Sequence, residues 1–186
     1  TKKFDLREVY YGLDCQMLLY LFTLERNGGH LFSQGTAAGV EYLWADPAPE
    51  NIIRPETDDA EPLQAQNYPL EGLLLDEPSI YHAMDTRGTG AFVPLSFSAK
   101  TGEPTAQSAK ARLADREKFN RIRDHLDGML TDMAKNLYSG EIDAAPLVPN
   151  AGKSPCLWCE YRTVCRHADG EGERTPLKPD DPFSAE

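Results

Sequence analysis

Residues 5–24 read DLREVYYGLDCQMLLYLFTL, and the placement of this stretch decides the fold. Tyr10, Leu13, Met17, Tyr20, Leu21 and Leu24 recur at three- and four-residue spacing, which predicts one helix with these side chains on its buried face. Gln16 and Tyr20 are four residues apart and therefore share one side of that helix. A buried amide without a partner costs about 1–3 kcal/mol. Gln16 is thus expected either to satisfy neighbouring backbone as a core amide or to face a polar site.

Carboxy-terminal to this helix, Asn27-Gly28-Gly29 is a stop signal. After a polar connector over 30–35, residues 37–46 (AAGVEYLWAD) read as a strand closed by Pro47. Residues 46–69 form an acidic, proline-punctuated stretch expected to be a surface loop, with Asp58, Asp59 and Glu61 solvated. The apolar patches 68–75 and 80–84 predict a short helical or extended element under the sheet. Residues 92–97 (FVPLSF) predict an edge strand, because Pro94 cannot donate to a ladder. Residues 99–114 read as irregular. A second long helix is predicted from an Asp115 N-cap, with Phe119, Ile122, Leu126, Met129, Leu130, Met133 and Leu137 as its stripe and Ser139-Gly140 as its end. His125 lies off that stripe and is expected to face solvent, and His30, His82 and His167 are scattered. Residues 142–150 read as extended, and 169–186 as a disordered tail, its acids Glu171, Glu173, Asp180 and Asp181 included.

The 186 residues suffice for one ordinary domain, and 40% hydrophobic with 26% charged residues is a globular composition. The net charge of −11 argues against a free-standing phosphate-binding surface, which is normally basic. No apolar run approaches the roughly 20 residues that cross a bilayer, so no membrane partner is expected. The opening TKKFDLRE has neither the apolar core of a signal peptide nor an initiator methionine, so a piece of a longer polypeptide is expected.

Four cysteines are present, and three cluster in SPCLWCEYRTVCR (154–166) as Cys156-x2-Cys159-x5-Cys165. Clustered thiols in a chain without a secretory signal bind metal more often than they pair. Three thiolates within ten positions suit a cluster that draws a fourth ligand from elsewhere better than they suit a zinc ribbon, which repeats C-x2-C. His167 stands too close to Cys165 for good zinc geometry. Cys15, in the first helix, is expected to be a small buried side chain.

Taken together, the glutamine–tyrosine helix, GVEYLWAD, YPLEGLLLDE, the long second helix ending NLYSGEIDAAP, and the cysteine triplet resemble the nuclease domains of the AddB (RexB-like) family. These are the B subunits of bacterial ATP-dependent helicase–deoxyribonucleases, in the RecB-like branch of the PD-(D/E)XK superfamily. The resemblance implies an α/β fold, a truncated restriction-endonuclease-like core with an incomplete mixed sheet, two long helices and a cysteine-rich segment. Residues 1–168 would be the carboxy-terminal part of the nuclease domain, with 154–167 as the cysteine segment. It implies that Gln16 and Tyr20 line the active site and that Cys156, Cys159 and Cys165 are three of four ligands of a [4Fe–4S] cluster. The Asp and (Asp/Glu)-x-Lys that hold Mg2+ have no match here; in the family they lie just upstream of TKKFDLRE. The isolated piece is therefore expected to be inactive and to hold neither cofactor. The parent would be a cytoplasmic exonuclease acting on DNA in double-strand-break repair and recombination, paired with a helicase–nuclease A subunit in a heterodimer. Two other readings stand beside it: a non-enzymatic cysteine-rich zinc-binding module, and a CRISPR-associated RecB-like exonuclease.

Overall fold

Gly12 and Asp14 adopt positive φ, +82° and +51°, and the opening stretch therefore forms two helices rather than one. Helix α1 spans Leu6–Tyr10 and helix α2 spans Gln16–Asn27. Positive φ costs an L-residue about 1 kcal/mol or more, which glycine avoids, so the break falls at Gly12. Gly12 lies against Met129 of the long helix, where an added Cβ would be 2.9 Å from the Met129 sulfur.

The computed structural model describes residues 4–30, 35–43, 70–148, 154–165, 167, 172–176 and 181–184. The remaining elements are β1 (Gly39–Leu43), β2 (Leu70–Leu75), α3 (Pro78–Met84), α4 (Ala106–Arg112), β3 (Leu113–Ala114), α5 (Arg116–Ser139) and α6 (Arg162–Cys165). The acidic loop expected over 46–69 lies outside the described residues. One mixed sheet has the order β1-β2-β3, with β1 antiparallel and β3 parallel to the central β2. This is an α/β architecture, as expected.

The central strand, LEGLLL, is apolar on both faces because both are covered. Val40, Leu73, Leu75 and Ala114 face a core completed by Val9, Leu18, Phe22, Phe119, Ile122 and Leu126 of α1, α2 and α5. Leu74 and Leu113 face the other way, onto Tyr81 of α3 and onto Val93 and Leu95. Gly72 is a point of close approach: a Cβ there would stand 2.1 Å from the Val40 carbonyl oxygen. Across the first core, Glu25 accepts the Ala37 N–H at 2.8 Å and pairs with Arg116 at 3.7 Å, which ties α2, α5 and the entry to β1 together.

Several expectations are corrected. The buried face of α2 carries Leu18 and Phe22, with Cys15, Leu19 and Leu21 partly buried against the same core. Leu13 and Met17 on the expected face are 42% and 38% exposed, and Tyr20 and Leu24 are 54% and 53% exposed. The sequence QMLLYLF is apolar nearly all round, so either stripe satisfies the helical period, and the turn at 12–14 selects the phase. Residues 92–97 form no ladder strand; Phe97 makes an isolated bridge to Pro104. Residues 99–114 are not irregular, since Thr105 caps α4 by accepting the Ser108 N–H at 3.3 Å, and β3 follows directly. The 68–75 patch is the central strand, and 80–84 lies in α3.

Helix α5 starts and ends where the sequence places it. Asp115 accepts the Lys118 N–H at 2.6 Å, and Gly140 closes the helix in the left-handed conformation. Its apolar stripe is buried only as far as Leu126; Leu130, Met133 and Leu137 are exposed. His125 is half-buried rather than solvent-facing: its Nε2 lies 2.8 Å from the Tyr10 carbonyl oxygen and its ring stacks on Tyr10. Within the stretch expected to be disordered, Phe183 is 3% exposed and belongs to the main core, and Lys118 holds Asp181 at 2.6 Å.

Candidate functional site

Gln16 is the first residue of α2, and Tyr20 follows one turn later. The Gln16 Nε2 donates to the Tyr20 hydroxyl at 2.8 Å, and both side chains are on the exposed side of the helix. The pair therefore shares a face, as its spacing requires, but that face is open rather than inward. Gln16 finds its partner in Tyr20, so it is not a core amide. Accepting that hydrogen leaves the phenol its own O–H to donate and leaves the glutamine carbonyl an acceptor. The arrangement can present one donor and one acceptor to a ligand lying along α2.

The amino end of α2 sits beside β1. Burial, then the negative potential of Asp14 and Cys15, push the Tyr42 phenol above its usual value, which puts β1 close to the α1–α2 turn. Phe4 stacks on Tyr42 with ring centroids 5.7 Å apart. On the opposite face of β1, burial raises the Glu41 carboxyl, and one of its oxygens is buried without a hydrogen-bond partner among the described residues. Strand β1 is an edge of the described sheet, so Gln16, Tyr42 and Glu41 all lie along one margin of the fold. Asp14, Glu41 and Tyr42 did not stand out in the sequence, because what brings them to this margin is strand register and a turn, neither of which has a local signature.

The cysteine segment is built of two short turns. Ser154 accepts the Cys156 N–H at 3.3 Å and starts a 3-10 helix over Pro155–Trp158. The Cys159 N–H then returns to the Cys156 carbonyl at 3.4 Å, and the Arg162 N–H to that of Cys159 at 3.2 Å, leading into α6. All three thiols are free; Cys156 is half-buried, and Cys159 and Cys165 are exposed. Thiolates are the donor chemistry an iron–sulfur cluster takes, so the set fits three of four ligands by type. Among the described residues, however, no three metal-ligating side chains are gathered in one place. Cys15 is half-buried in the α1–α2 turn, where its thiol faces the Gly12 carbonyl at 3.5 Å. His167 has its Nε2 buried without a partner among the described residues.

Among the described residues no helix is long and apolar enough to cross a membrane. The sequence model of a family described as the PD-(D/E)XK nuclease superfamily matches residues 1–166. Curated relatives share a second likeness. The chain is 29% identical, over 89% of its length and 15% of the relative's, to the B subunit of the ATP-dependent helicase/deoxyribonuclease of Exiguobacterium sibiricum. Proteins of the same name in Clostridium botulinum (strain Loch Maree / Type A3) and Bacillus mycoides (strain KBAB4) are each 28% identical over 89% of this chain and 14% of their own length. The chain thus spans about a seventh of the length of the curated relatives it matches.

Proposed function

This chain belongs to the PD-(D/E)XK nuclease superfamily, and from that premise we propose that it is the carboxy-terminal part of the nuclease domain of a helicase/exodeoxyribonuclease B subunit. Its reaction in the whole protein is Mg2+-dependent hydrolysis of DNA phosphodiesters, in double-strand-break repair and recombination. Its place is cytoplasmic, beside a helicase–nuclease A subunit. The observation that carries this reading is the Gln16–Tyr20 hydrogen bond on the open face of α2. A nuclease site needs neutral donors that grip phosphate oxygens without displacing its metal-binding carboxylates. By accepting from Gln16, Tyr20 is held in one rotamer with its proton turned outward, toward a phosphate oxygen. The Gln16 carbonyl can hold a water or a sugar hydroxyl beside it.

Bound Mg2+ supplies Lewis-acid stabilisation of the phosphate and an activated water. The Asp and (Asp/Glu)-x-Lys that hold it come, in this reading, from polypeptide amino-terminal to Thr1, so residues 1–186 alone do not cut DNA. Cys156, Cys159 and Cys165 would hold three corners of a [4Fe–4S] cluster whose fourth ligand is likewise supplied from upstream; the cluster acts as a structural clamp. A zinc-binding module is the second reading, favoured by the orphaned His167 Nε2 beside the triplet. The family match and the Gln16–Tyr20 pair have no part in it.

The test compares Mg2+-dependent digestion of linear DNA by residues 1–186 with digestion by the polypeptide extended upstream through the carboxylate motif. Only the extended form is expected to cut. Gln16→Ala or Tyr20→Phe should slow it roughly ten- to hundredfold, the loss of one hydrogen bond to a charged oxygen. If neither form cuts and both bind one zinc, the module reading replaces this one.

A further inference from the structure

The turn between the first two clustered cysteines and α6 exposes two large rings. Trp158 is 89% exposed and Tyr161 71%, and Val164 beyond them is 79% exposed. Neither ring makes an aromatic contact among the described residues. Both are held in place by backbone: Trp158 ends the 3-10 helix, and the Tyr161 carbonyl accepts from Val164 at 3.0 Å and Cys165 at 2.8 Å. They flank the Cys159–Glu160 turn, three residues apart, as a rigid pair of apolar surfaces open to solvent. Leaving such rings in water is unfavourable by roughly 25 cal/mol per Å2 of apolar surface, so a ligand that covers them is stabilised.

Charge selects the ligand. Residues 153–167 carry Lys153, Arg162 and Arg166 against Glu160, a net +2, while the other 171 residues carry −13. A polyanion is repelled by most of this chain and attracted here. An apolar protein surface gains nothing from three cations. A duplex keeps its bases stacked on one another and offers the rings no face. Unpaired bases on a phosphate backbone satisfy both features, because rings stack on bases of any sequence and cations follow the phosphates.

We propose that the Trp158–Tyr161 turn is a binding site for single-stranded DNA, with the two rings stacking on successive unpaired bases and the surrounding cations neutralising their phosphates. The inference rests on the nuclease reading for its choice of DNA, and it gives that nuclease a second hold on the unwound strand, apart from the Gln16–Tyr20 margin.

The experiment is fluorescence anisotropy of a labelled oligothymidylate, without Mg2+, against the wild-type chain, Trp158→Ala, Tyr161→Ala and Trp158→Phe, with Leu137→Ala as an exposed-site control. Removing one stacked ring is expected to weaken binding about five- to hundredfold, with Trp158→Phe retaining most of the affinity and Leu137→Ala all of it. Binding should fall with added salt and be weaker for a duplex of equal length. Absent wild-type binding, undiminished binding by both alanine variants, or equal affinity for duplex overturns the proposal. Anisotropy needs no cleavage, so the two readings fail separately. A protein that cuts DNA yet binds oligothymidylate without Trp158 overturns this site alone. One that binds through Trp158 but never cuts supports the site and overturns the nuclease.

Discussion

Asp85 is 1% exposed, the one fully buried charged side chain among the described residues. It closes α3 and receives the backbone N–H of Arg87 at 3.2 Å, Gly90 at 2.7 Å and Ala91 at 3.1 Å, with the Thr89 hydroxyl at 3.1 Å. Burial alone would raise its carboxyl. The hydrogen bonds from Thr89, Gly90, Ala91 and Arg87 outweigh that and hold it below the ordinary 3.8. Because the folded value is depressed, this stabilisation is fully present above the unfolded value and is lost as pH falls through the folded one. Asp85→Ala leaves three backbone donors buried and unmet. Urea unfolding at pH 7 should show a loss of about 2–4 kcal/mol, and the gap from wild type should narrow below about pH 4. Asp85 did not stand out in the sequence, although DTRGTG spells such a loop: an acceptor followed by Gly88 and Gly90, both at positive φ.

At the scale of an element, α5 is one continuous stripe with two environments. Leu126 is 0% exposed against the core, whereas Leu137, eleven residues on, is 70% exposed. The stripe is uniform in sequence, so its buried extent is set by where α1 and α2 end. Leu126→Ala should therefore lower stability by about 2–5 kcal/mol, and Leu137→Ala by less than about 0.5 kcal/mol, measured by denaturant midpoint. Equal effects would mean that the distal half is covered in solution. Helix α2 teaches the same lesson from the other side: its period was legible, its inward face was not.

For the whole molecule, the carboxy terminus acts as a clasp. Phe183 packs edge-on against Tyr10 and His125, with centroids 5.8 Å and 5.4 Å away, and its carbonyl accepts from Arg121 Nε at 2.9 Å. Asp181 pairs with Lys118 one turn earlier on α5. The clasp joins α1 and α5 to the chain end more than 60 residues after Lys118. Phe183→Ala should cost about 3 kcal/mol, and removing residues 181–186 should cost at least as much and loosen α1. Amide exchange over 6–10 is the measurement, and unchanged protection there would show that the clasp is ornamental to the fold. Burial raises the Asp181 carboxyl, but the Lys118 and Phe183 hydrogen bonds outweigh it and leave it lowered. The clasp therefore weakens in acid, with the same sign as Asp85.

The amino-acid sequence by itself determined what depends on neighbours within four residues. The Asp115 cap, the Gly140 stop, the period of α2 and α5, and the stacking of Gln16 over Tyr20 are all of that kind, because helix chemistry is local. So are the motifs whose resemblance named the nuclease superfamily. Tertiary structure alone decided which face of an all-apolar helix turns inward, that FVPLSF pairs with no strand, that Glu41 and Tyr42 reach the margin beside Gln16, and that a lone Phe183 in a polar tail enters the core. Each of those depends on a partner dozens of residues away. The free energy that settles them is the burial of apolar surface between elements, which no local window of sequence contains.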